Sequence, residues 1–63
     1  MNNEAFRQIA TIPLPTVIGA YIKQFGDKVP DGKAAMVREL ANAVDRGQIT
    51  VDEIKSCPAA NRP

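Results

Sequence analysis

Histidine and tryptophan are absent from this 63-residue chain, and cysteine occurs once, at Cys57. Without histidine there is no imidazole base, and a single thiol cannot build a zinc site or close an internal disulfide. One unpaired thiol suits a reducing compartment, so a cytoplasmic location is expected. No stretch approaches the roughly 18 apolar residues of a membrane span. Met1-Asn2-Asn3-Glu4 is neither basic nor followed by a continuous apolar run, so neither a secretory signal nor a membrane partner is expected. An excess of one charge is missing too. Eight basic residues against seven acidic ones leave +1, which predicts neither strong non-specific attraction to nucleic acid nor repulsion from it.

What is present belongs to a globular domain. The chain is 44% hydrophobic and 24% charged, which excludes wholesale disorder, and its length allows one small domain. Two Phe and one Tyr supply little aromatic area, so the core must come from Ile, Val, Leu and Ala. Such a core gives marginal stability, or a domain that leans on a larger protein or a second copy.

The apolar pattern is helical and centres on a bridge, Phe25-Gly26-Asp27-Lys28-Val29-Pro30-Asp31-Gly32-Lys33. Before it, Ile18, Ile22 and Phe25 repeat at four and three residues; after it, Met36, Val37, Leu40, Ala41 and Val44 do the same. Residues 4 to 12 predict a first helix, capped by Asn2 or Asn3, burying Phe6, Ile9 and Ala10 and stopped by Pro13. Pro13-Leu14-Pro15 then reads as an extended elbow with Leu14 turned inward. Thr16 would cap a second helix over 17 to 25, whose buried face is Ile18, Tyr21, Ile22 and Phe25, with Gly26 ending it in a left-handed conformation. Asp31 would cap the third and longest helix, 32 to 45, whose polar face (Lys33, Arg38, Glu39, Asn42, Asp45) is solvated and whose end is Arg46-Gly47. Thr50-Val51-Asp52-Glu53 matches a capping box and predicts a brief fourth helix over 51 to 56, with Val51 and Ile54 inward.

The expected fold is therefore all-α, a bundle of three to four short helices with a helix–extended loop–helix centre. Residues 1 to 57 form the domain, and 58 to 63 read as a flexible tail or the start of a linker. The predicted core is Phe6, Ile9, Ile18, Ile22, Phe25, Val37, Leu40, Val44 and Ile54.

Motifs that do chemistry are scarce. Gly26 and Gly32-Lys33 suggest a phosphate loop, but five residues separate the glycines where that motif has four. Ala34 also stands where a magnesium-binding Ser or Thr belongs, and no buried strand precedes it. Asp52 and Glu53 are adjacent and fall on different helix faces, and Cys57 has neither a base nor an orienting partner, so it reads as an incidental thiol. Tyr21 reads as a half-buried core aromatic. No catalysis and no cofactor are expected.

One resemblance remains. Ile18 and Ile22 at four-residue spacing, Lys23, Gly26 four residues after Ile22, Lys33-Ala34 seven beyond that glycine, then Met36, Val37 and Leu40 follow one known layout. It is similar to the SAP-type helix–extended loop–helix DNA-binding motif, over residues 18–40, about a third of the chain. The family usually carries leucines at the positions of Ile18, Ile22 and Met36. The resemblance implies a small module contacting double-stranded DNA, as in the N-terminal targeting domain of a larger enzyme. Physical chemistry gives it a mechanism. A helix start offers free backbone N–H groups and the positive end of a dipole to a phosphate, and Gly32 permits close approach. Lys23, Lys28, Gly32, Lys33 and Ala34 are thus the candidate nucleic-acid contacts, and Lys33→Glu is the expected disabling change. The alternative is a protein-interaction or oligomerisation module that offers an apolar helix face to a protein partner or to the rest of a longer parent chain.

Overall fold

Four helices occupy residues 3–59, the part of the chain that the computed structural model describes: α1 (Asn3–Ala10), α2 (Leu14–Phe25), α3 (Lys33–Asp45) and α4 (Val51–Ser56). There is no strand among the described residues, and no helix there is long and apolar enough to cross a membrane. The all-α expectation holds. Of the expected tail, Pro58 and Ala59 follow α4 without regular structure, and residues 60–63 lie outside the described part.

The two proline-flanked boundaries differ from expectation. α1 stops at Ala10 rather than residue 12. The Ile12 N–H donates to the Ile9 carbonyl at 3.0 Å, and the Thr11 hydroxyl donates to the Gln8 carbonyl at 2.8 Å, so the last turn tightens and swings Ile12 into the core. Asn3 opens the helix instead of capping it, and Asn2 lies outside the described residues. α2 begins at Leu14, not at Val17. Pro13 occupies the cap position, and its carbonyl accepts from the N–H groups of both Thr16 and Val17, each at 3.1 Å. Thr16 therefore sits inside the helix and caps nothing. Pro15 is tolerated because the N–H groups of a first turn have no intrahelical acceptor to lose.

Facing differs as well. α2 sends Val17 and Ala20 into the core; Ile18 and Tyr21 pack only partly against it, and Ile22 is half-buried. Phe6, Leu14 and Phe25, expected inside, are 37%, 43% and 43% exposed. In α1 the buried positions are Ala5 and Ile9, and Ala10 is half-buried. The remaining predicted core positions behave as expected: Ile9, Val37, Leu40 and Ile54 are buried, and Val44 packs partly against them. Met36, Ala41, Ala43, Ile49 and Cys57 complete the core. Among the described residues no buried side chain is polar or charged.

α3 is the common support. α1 packs mainly on α3 and also on α4, and α2 packs on α3 and α4, whereas α1 and α2 scarcely meet. α3 ends in a Schellman motif: the Gly47 N–H donates to the Val44 carbonyl at 3.0 Å and the Gln48 N–H to the Ala43 carbonyl at 2.9 Å. Gly47 supplies the positive φ of 73° that this turn requires. That geometry brings Ile49 back into the core and hands the chain to α4. The predicted capping box is complete there. Thr50 Oγ1 accepts from the Glu53 N–H at 3.1 Å, and the Glu53 carboxylate accepts from the Thr50 N–H at 3.2 Å. Cys57 follows α4 as its C-cap and is 8% exposed, behaving as a small apolar side chain.

Candidate functional site

The bridge between α2 and α3 holds the predicted contacts, and its geometry follows from two glycines. Gly26 ends α2 with φ 108° while its N–H donates to the Ile22 carbonyl at 2.9 Å. Its ψ of −175° lies outside the left-handed helical region that was expected, so the chain leaves α2 extended instead of curling back. The Val29 N–H then donates to the Asp27 carbonyl at 2.8 Å, a three-residue turn that directs the Val29 side chain against the core. Pinned by Val29, the bridge leaves Asp27, Lys28, Asp31 and Gly32 exposed.

The start of α3 corrects the expected cap. Asp31 accepts no capping hydrogen bond; Gly32 is the N-cap, with φ 124° and ψ 137°, and has no side chain to offer. α3 accordingly begins at Lys33, one residue later than expected. The N–H groups of its first turn receive no side-chain acceptor. A β-carbon built on Gly32 would meet nothing within 4 Å, so the approach to this helix start is open.

Lys33 is not part of a solvated face. It is half-buried, and its ammonium donates to the Ala10 carbonyl at 2.7 Å, bridging the first turn of α3 to the last residue of α1. That carbonyl is one of those a helix C-terminus leaves without an intrahelical partner, and a cation suits the negative end of the α1 dipole. A lysine ammonium has three donors, so two remain after this bond. Gly32, Lys33 and Ala34 are contiguous at the helix start. Lys28 stands exposed within the bridge, and Lys23 stands exposed in the last turn of α2. Comparison with family models, curated proteins and solved structures finds no match.

Two features escaped the sequence reading. One is a shallow recess of about 380 Å³ lined by Thr11, Ile12, Pro13, Thr16 and Lys55, at the α1–α2 elbow. The other is the partly exposed apolar side of α2. There the Tyr21 and Phe25 rings lie 4.8 Å apart at a 37° tilt, with Leu14 exposed at the far end of the helix. Four-and-three spacing predicted that Tyr21 and Phe25 share a face with Ile18 and Ile22, but not that Phe25 stays outside, and Leu14 was expected to turn inward from an extended elbow. Among the described residues no group of acidic or sulfur side chains is placed to hold a metal ion.

Proposed function

We propose that this domain is a SAP-like module that contacts DNA phosphates weakly through the bridge and the first turn of α3. The observation that supports it is the uncapped start of α3: unpaired N–H donors, an open approach beside Gly32, and the Lys33 ammonium with donors to spare. Lys28 and Lys23 add charge from the bridge and the end of α2. Few phosphates are within reach of such a site, so affinity belongs near the non-specific range, roughly 10⁻⁴–10⁻⁶ M, and falls with added salt as counterions are retaken. A role as the targeting domain of a larger protein fits binding this weak.

The test is a nuclear magnetic resonance titration with duplex DNA at low salt. The amides of Gly32, Lys33 and Ala34 should shift first, those of Lys28 and Lys23 with them, and those of residues 51–54 not at all. Lys33→Glu is a poor disabling variant, because it would set a carboxylate against the Ala10 carbonyl and loosen α1. Ala34→Glu is the better one. Ala34 is exposed in the first helical turn, where an acid favours the helix, so the variant should melt no lower than wild type while losing its DNA-induced shifts. No shift in wild type with excess duplex overturns the proposal.

A second reading, a protein-interaction or oligomerisation module, is favoured by the partly exposed apolar side of α2 and by the near-neutral charge.

A further inference from the structure

We propose that α2 pairs with the α2 of a second copy of this chain, antiparallel about a twofold axis that passes at the level of Gly19 and Ala20. The inference rests on the second reading above and is independent of the phosphate site. α2 packs inward on α3 and α4 through Val17 and Ala20, and beside that buried face runs a stripe of Leu14, Ile18, Tyr21 and Phe25. Its two ends, Leu14 and Phe25, are each 43% exposed, and its middle members are only partly buried.

Two observations select a second copy over another partner, and a third favours docking on this face of any kind. The first is spacing. The stripe steps by four, three and four residues, a pattern that reads the same from either end. An antiparallel mate therefore sets Leu14 against Phe25 of the second copy and Ile18 against its Tyr21, with both pairs sharing one midpoint. A twofold interface requires that kind of self-complementary patch, and a different partner does not. The second is charge. Lys23 is the one charged residue of α2, and at about 100° per residue it falls on the far side of the helix from the stripe. Nothing on the face repels its own copy, and nothing on it would steer a charged partner. A whole-chain charge of +1 adds no barrier to self-association. The third is order. The Tyr21 and Phe25 rings already stack on each other, so docking them immobilises little that is free beforehand.

The interface is small. α2 is 12 residues, about 18 Å long, and cannot by itself reach the roughly 800 Å² per partner of a stable complex. A weak, concentration-dependent dimer follows.

Analytical ultracentrifugation between about 10 µM and 1 mM tests this directly. Wild type should pass from monomer to dimer across that range, and Leu14→Asp and Phe25→Lys should each stay monomeric, at least tenfold weaker. Mixing the two variants should restore association at least tenfold, since antiparallel pairing then sets the new aspartate against the new lysine at one end and leaves Leu14 against Phe25 at the other. A parallel pairing sets no aspartate against a lysine on mixing and regains only the relief of its like-charge pairs. Wild type that stays monomeric at 1 mM, or variants that do not rescue one another, overturns the inference. If the variants fold with melting points near wild type while wild type is monomeric, the second copy alone is wrong and the face remains a surface. If both variants lose more than about 10 °C at 10 µM, the stripe is interior, and the interaction reading fails with the inference.

Discussion

Leu40→Ala tests the packing most directly. Leu40 is fully buried in the middle of α3, the helix on which both α1 and α2 rest. Truncation removes the transfer energy of the lost methyl groups and leaves a cavity, for which buried leucines lose about 2–5 kcal/mol. A domain of this size rarely holds more than about 3–5 kcal/mol in total. A loss of about 3 kcal/mol would therefore leave much of the protein unfolded at room temperature and lower Tm by about 12–24 °C, at 4–8 °C per kcal/mol for small domains. Phe25→Ala supplies the contrast. It removes a larger side chain, but one that is 43% exposed and rests on the Tyr21 ring, so about 1 kcal/mol is expected. Thermal and urea melts followed by circular dichroism at about 10 µM would compare the two with the α2 face unpaired. If Phe25→Ala costs more than Leu40→Ala, or Leu40→Ala melts within about 4 °C of wild type, the helix facing described above is wrong.

Lys33→Met keeps most of the length of the side chain and removes its ammonium, so the Ala10 carbonyl loses its partner. Urea denaturation should show a loss of about 1–2 kcal/mol, and a change under about 0.5 kcal/mol would mean the bond contributes nothing. Thr50→Ala removes the acceptor for the Glu53 N–H, at an expected cost of about 1 kcal/mol, and hydrogen exchange should report faster loss of the Glu53 amide proton. An unchanged Glu53 exchange rate would refute the cap.

What the sequence discloses about this fold depends on whether a segment's apolar arc is narrow or broad. In α3 the inward residues Met36, Val37, Leu40 and Ala41 stand against Arg38, Glu39 and Asn42, so one orientation is allowed, and it is the one found. α4 is legible for a different reason, because Thr50 and Glu53 announce its start chemically. α2 carries apolar residues at 14, 17, 18, 20, 21, 22 and 25, which wrap more than half the helix. A periodicity argument then favours the largest side chains for the core. The backbone instead brings Val17 and Ala20 against α3 and α4, and the bulkier Ile18, Tyr21 and Phe25 are left at the margin. The same trade places Ala5 inward and Phe6 outward in α1. Pro13 and Pro15 misled for another reason: a proline read as a breaker is equally at home at the cap or in the first turn of the next helix.

The candidate site divides along the line between local and long-range chemistry. That a helix begins close to Gly32, with Lys33 and Ala34 in its first turn, follows from neighbouring residues, and the structure puts the start one residue later than expected. The Lys33–Ala10 bond does not follow, since it joins positions 23 residues apart and depends on how α1 is laid across α3. It changes the meaning of the site. Lys33 holds the end of α1 while its remaining donors are free to meet an anion, so a phosphate at the α3 start would settle on a cation that is already positioned. Lys28, exposed on the bridge, offers charge without that restraint and must give up more conformational freedom to make the same contact. The two lysines are alike in sequence. In the fold, Lys33 carries structure and charge together, whereas Lys28 carries charge alone.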